Sequence, residues 1–188
     1  MMTPEKKRQT IVGYGVRAGI STLVETGSYE GDMIEHARRF FRDVYSIELS
    51  DHYYDLCRQR FEGCPGVHLL HGDSAVLLPG VLAGLGGPAV LWLDAHWSEG
   101  TTARGPRDSA IQGELDAVLA WGRKDIVVLI DDIRAFGAAR DYPAIEEVRR
   151  RLLDAHPGWA FYVLDDVARA HAPFREDEQK AQDGYNKT

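Results

Sequence analysis

At 188 residues and 44% hydrophobic, the chain suffices for one compact domain with a sizeable core and is short for two. Charged residues make up 27% and the net charge is −7, a balance that argues against general affinity for nucleic acid or an anionic membrane. Two cysteines, Cys57 and Cys64, lack C-x-x-C spacing and exclude a disulfide framework.

The opening residues, "MMTPEKKRQT", carry no apolar leader core, and no later apolar run approaches the ~18 residues of a membrane span. The expectation is a cytoplasmic protein. Thr3 as N-cap and Pro4 at the first helical position predict one short helix within residues 1–21, weakened by Gly13 and Gly15. From there, short runs rich in Val, Ile and Leu alternate with helical stretches. The runs are 22–26 ("TLVET"), 43–49 ("DVYSIEL"), 67–71 ("VHLLH"), 89–94 ("AVLWLD"), 126–131 ("IVVLID") and 159–165 ("WAFYVLD"), with a weaker seventh at "VARAHA". They suit strands buried on both faces, as in a parallel sheet. The helical stretches are 32–42, 51–62, 74–85, 109–121 and 142–155, the last opened by Tyr142-Pro143. Arg38, Arg39 and Arg42, like Arg149 to Arg151, read as solvated helix faces, and 175–188 reads as a polar tail. The alternation predicts one α/β domain over 22–174. Its fold is Rossmann-like and doubly wound, a mostly parallel seven-stranded sheet with helices on both faces.

Such a sheet places ligands at the carboxyl ends of its strands. The first run ends at Glu25 and the second at Glu48; the third leads into "HGDS" with Asp73. The fourth ends at Asp94 and the fifth at Asp131-Asp132. One acid at a strand end often only caps the next helix. Five strand ends in succession concentrate negative charge on one edge, which is costly without a cation, a metal or a hydroxyl-rich ligand there.

The turn "ETGSYEG" resembles a phosphate cradle only in its glycines. It lacks the third glycine of G-x-G-x-x-G, and no Lys follows Gly31 as a P-loop requires. Glu25, Glu30 and Asp32 would repel a pyrophosphate, at ~1 kcal/mol or more per close pair. A ligand with a cationic head and an uncharged nucleoside fits better. Glu48 follows Gly27 by twenty-one residues, the separation at which a second-strand acid meets a ribose diol. S-adenosylmethionine combines carboxylate, ammonium, sulfonium, ribose and adenine.

"VETGSYEGD", "VYSIELS", "HLLHGDSAVLL", "LWLDAHWS" and "VVLIDD" occur in the order of the class I S-adenosylmethionine-dependent methyltransferases, which the chain resembles over about residues 10–172. The resemblance implies a seven-stranded sheet with an antiparallel last strand. It implies that Glu25 and Gly27 hold the methionine portion, that Thr26 and Ser28 belong to the same cofactor site, and that Gly31 permits close helix approach. Glu48 would bind the ribose hydroxyls, Asp73 with Ser74 would flank the adenine, and Leu49 would belong to the same cofactor site. A small-molecule methyl acceptor follows, and a homodimer is the family-level expectation.

Methyl transfer requires the acceptor to be aligned and, if a hydroxyl, deprotonated. Two readings compete at the ends of the fourth and fifth runs. In one, Asp94, Asp131 and Asp132 chelate Mg²⁺, which activates an acceptor hydroxyl. These aspartates are similar to those of metal-dependent sugar O-methyltransferases of the macrolide-tailoring type and of catechol-type enzymes. In the other, no metal binds, the transfer is to N or O, and His96 is the general base beside a carboxylate. Asp94 serves the cofactor ammonium in a third assignment. Trp97 is either a lid residue or an aromatic wall for the sulfonium. Trp92 belongs to the core. Thr101, Thr102, Arg104 and Arg107 lie in a long polar loop suited to acceptor contacts. Glu114 reads as an exposed helical charge, with an inward orientation as its alternative. A non-catalytic S-adenosylmethionine-binding module is the alternative from another functional class.

Overall fold

The apolar runs pair into a single sheet. The computed structural model describes residues 2–94 and 109–174. Along it run α1 (Pro4–Ala18), β1 (Thr22–Thr26), α2 (Asp32–Ala37), β2 (Asp43–Glu48), α3 (Asp51–Arg60), β3 (Val67–His71) and α4 (Ser74–Gly84). There follow β4 (Val90–Leu93), α5 (Ile111–Trp121), β5 (Val127–Ile130), a 3-10 turn (Ile133–Ala135), α6 (Ile145–Ala155), β6 (Ala160–Leu164) and β7 (Val167–His171). The strand order is β3-β2-β1-β4-β5-β7-β6. β1 to β5 pair in parallel, and β7 runs antiparallel to both β5 and β6. This is the expected doubly wound sheet, including its reversed last strand.

Strand residues alternate between two cores. Leu23, Val44, Val90, Trp92, Val127 and Leu129 pack against α1, α2 and α3, while Val24, Ile47, Leu91, Leu93, Val128 and Ile130 pack against α4, α5 and α6. Trp92 is buried in the core, as read from the sequence. The chain leaves β1 toward β2 and β3 and then crosses back to β4 on β1's other side. The switch point of the sheet therefore lies between β1 and β4.

Three helices differ from expectation. α1 is no short segment but a helix of 15 residues, capped by Thr3 and closed by Gly19 in the left-handed conformation. Its glycines were expected to weaken it. A Cβ on Gly15 would sit 2.6 Å from the Phe41 ring, so Gly15 is where the helix settles onto the core, and tertiary packing outweighs its low propensity. α2 is shorter than 32–42 because the chain turns after Ala37 to bury Phe41 before entering β2. α6 begins at Ile145 rather than at Tyr142-Pro143, with Ala144 extended as its N-cap. No helix among the described residues is long and apolar enough to cross a membrane.

Candidate functional site

The site begins in the loop after β1. Gly27 (φ 84°), Tyr29 (φ 49°) and Gly31 (φ 80°) all adopt positive φ, which folds the loop tightly over the strand ends. Tyr29 is the costly one, since a non-glycine residue there stores about 1–3 kcal/mol. Glu48 holds it in place: Oε2 accepts from the backbone N–H of Ser28 (2.9 Å) and of Tyr29 (3.0 Å), and Oε1 accepts from Ser50 N–H (2.8 Å). The Tyr29 ring rests on Tyr53, with centroids 4.6 Å apart. Glu48, expected at the ribose, braces the glycine loop.

Glu25 is buried at the end of β1. Ser46 Oγ donates to its Oε2 (2.7 Å) and shares a 2.6 Å hydrogen bond with Ser28 Oγ. Burial pushes Glu25 up to about 8; Ser46 opposes this, and the charges of Asp94 and Glu48 add to the rise. The other two loop acids turn away. Glu30 and Asp32 are exposed, and Arg60 donates to the Glu30 carbonyl (2.6 Å) and to Asp32 Oδ1 (3.0 Å). The loop is therefore less acidic toward a ligand than its sequence implied, because α3 supplies an arginine to its outer side.

Across the switch point, Thr26 faces the opposite core. Its hydroxyl accepts from Asp94 N–H (3.0 Å) and bonds Glu114. Glu114 is only 1% exposed, and Ser74 Oγ donates to its Oε1 (2.6 Å). The expectation of an exposed charge is corrected: Glu114 ties α5 to the start of α4 and to the end of β1. Burial pushes it up to about 7, opposed by the Ser74 and Thr26 bonds and assisted by Asp94 and Asp73. Asp73 caps α4 by accepting from Ala75 N–H (2.9 Å).

At the end of β5, period two carries Asp131 to the α1 side, where Lys7 Nζ donates to its Oδ2. Lys7 also stands 6.0 Å from the Trp92 ring centroid. Burial, then the charge of Asp94, push Asp131 upward, with Lys7 opposing. Burial works against the Lys7 charge, yet the bond to Asp131 and the fields of Asp94, Asp131 and Asp132 hold it above its ordinary value. Asp132 takes a left-handed conformation (φ 53°) and pairs with Arg134 Nη1 at 2.7 Å. Arg134 in turn bonds Asp166.

The proposed Mg²⁺ set does not fit this arrangement. Lys7 holds Asp131, Arg134 holds Asp132, and among the described residues no three His, Cys, Asp or Glu side chains form a group able to hold a metal ion. Between β4, β5 and α5 lies a small cleft. Asp94, Ser109, Glu114, Asp131 and Tyr142 supply its polar lining, and Leu93, Ile111, Ile130 and Phe136 its apolar walls. Burial pushes the Tyr142 phenol up to about 12, so it stays protonated as a donor.

His96, Trp97, Thr101, Thr102, Arg104 and Arg107 lie outside the described residues, as does the tail 175–188. Sequence reasoning missed Lys7 and Ser46. Ser46 carried a signal, a polar residue inside a buried run and in phase with Glu48.

No family model matches the sequence, and no curated protein matches it. Solved structures do match in fold. The S-adenosylhomocysteine-bound methyltransferase PaMTH1 of Podospora anserina is 15% identical, with TM-score 0.62 over 92% of this chain and 80% of that one. An O-methyltransferase of Bacillus cereus in complex with S-adenosylhomocysteine is 15% identical, with TM-score 0.61 over 91% and 82%. The O-methyltransferase TomG of Streptomyces achromogenes, involved in tomaymycin synthesis and bound to S-adenosylmethionine, is 15% identical, with TM-score 0.59 over 92% and 82%. At such identities the likeness establishes a shared fold.

Proposed function

We propose that this chain is an S-adenosylmethionine-dependent methyltransferase that methylates a hydroxyl of a sugar or another small polyhydroxylated metabolite. One observation carries this: Glu25 is buried at the switch point beside Asp94 and Glu48, a setting that a cationic ligand relieves. The fold shared with methyltransferases that hold this cofactor or its demethylated product supports the same reading.

The donor set suits the cofactor. Glu25 and Asp94 face its ammonium, and the Gly27–Gly31 loop covers its methionine portion. Glu48 accepts three backbone N–H groups and, with about four lone-pair sites on a carboxylate, keeps room for a ribose hydroxyl. Asp73 and Ser74 would flank the adenine, and the exposed Leu49 lies next to Glu48 in the chain. Bound there, the cofactor supplies an electrophilic methyl group. The chain's own residues align the acceptor at the cleft: Tyr142 donates a hydrogen bond to it, and a carboxylate of the lining, Asp94, Glu114 or Asp131, takes its proton. Assistance by Mg²⁺ would require Lys7 and Arg134 to release their aspartates.

Titration calorimetry with S-adenosylhomocysteine tests the reading. The protein should bind it, and Glu25→Gln, which keeps the shape and removes the charge, should weaken binding about tenfold or more, ~1.4 kcal/mol. A wild-type protein that binds none overturns every methyltransferase reading of this chain.

A further inference from the structure

The aspartates after β4 and β5 are met by a cation from the segment that precedes the first strand. Only Gly19, Ile20 and Ser21 separate α1 from β1, so α1 runs back antiparallel to the parallel strands. Its first turns therefore lie at their carboxyl ends. Lys7, Ile11 and Gly15 recur at four-residue intervals and form one stripe of the helix. Ile11 and Gly15 are buried, and Lys7 continues their stripe to the edge of the sheet. Its side chain is 22% exposed against 1% for Asp131, and its ammonium reaches inward to that carboxylate. The ammonium is bonded to Asp131 Oδ2 and stands at cation–π distance from Trp92, which is buried two residues before Asp94.

We propose that Lys7 is the resident cation of the acceptor site, a positioning residue that holds Asp131 where a divalent metal would bind and makes the site metal-independent. The identity of the site rests on the methyltransferase reading above; the competition between cations does not. Mg²⁺ demands near-octahedral oxygen ligands at ~2.0–2.1 Å, and at Asp131 it would find only Oδ1 without a hydrogen-bond partner, beside an ammonium on Oδ2 whose charge repels it. Asp132, turned by its positive φ toward Arg134, does not complete such a shell. An ammonium presents three N–H donors and one charge rather than two open coordination positions. The acceptor then needs a single oxygen near Lys7, not a chelating pair of adjacent oxygens.

Calorimetric titration of Mn²⁺ into the full chain tests this. Wild type and Lys7→Arg should take up no Mn²⁺ up to millimolar concentration. Lys7→Met should gain a site binding at least ~tenfold tighter than any in the wild type, and adding Asp131→Asn should remove it. Lys7→Gln is the second neutral variant should the first not fold. A Mn²⁺ site in the wild type that Asp131→Asn abolishes would overturn the proposal, as would a folded neutral variant that gains no site. S-adenosylhomocysteine titrated into the same samples reports separately on the methyltransferase reading.

Discussion

Glu114 shares the α5 stripe of Ile111, Leu115 and Val118, so helical period by itself carries it into the core. The two hydroxyls that meet it, on Ser74 and Thr26, belong to distant segments, and they make its burial tolerable. Glu114→Ala should cost about 1–3 kcal/mol by stranding those hydroxyls, read as a fall of ~2–4 °C in Tm per kcal/mol. Glu114→Gln should be nearly neutral at pH 5, where Glu114 is protonated, and more stable than wild type at pH 8, where the buried carboxyl is ionised. The sign follows from linkage. Its folded pKa, about 7, stands above the ordinary 4.5, so its contribution is fully present below pH 4.5 and is lost as pH rises through 7. Urea melts at pH 5 and pH 8 should show wild type losing more stability over that interval than Glu114→Gln. Its stripe position was legible in the sequence. Its partners were not, because a side chain's polarity says nothing of hydroxyls forty or more residues away in the chain.

At the scale of elements, close approach decides what each glycine is for. Gly31 joins the loop after β1 to α2, and a Cβ there would lie 2.6 Å from the Phe61 ring and 3.1 Å from Cys57 Sγ, both on the far side of the adjoining α3 region. With φ at 80°, Gly31→Ala meets backbone strain and overpacking together. It should destabilise by about 1–3 kcal/mol and weaken S-adenosylhomocysteine binding, measured by thermal denaturation and calorimetry. A stable variant with unchanged affinity would show that the loop tolerates displacement. Gly113 acts similarly between α4 and α5, where a Cβ would sit 2.6 Å from Ala75 Cβ; the close approach lets Ser74 reach Glu114. Strand positions were legible almost to the residue, since buried runs of Val, Ile and Leu are local features. The length of α1 was not, because the Phe41 ring that gives Gly15 its purpose lies in another element.

For the whole molecule, raised carboxyls at one sheet edge set the pH response. Glu25, at about 8, and Glu114, at about 7, both exceed their ordinary 4.5, so the folded state binds more protons than the unfolded one between those limits. The free protein should lose stability as pH rises from about 5 to about 8. A cationic ligand favours ionised Glu25, so binding of S-adenosylmethionine near pH 7 should release protons. Calorimetry in buffers of differing ionisation enthalpy should show that release, and Glu25→Gln should reduce it; a wild-type response independent of buffer would separate Glu25 from the ligand. The sequence by itself determined the doubly wound sheet and the acids at its strand ends, because both follow from period, run length and the residue that closes each run. Only the tertiary structure decided which of those acids remain for a ligand. Lys7 reaches Asp131 across 124 residues and Arg60 reaches Asp32 across 28, and such pairings exist only once packing brings separate segments to one edge.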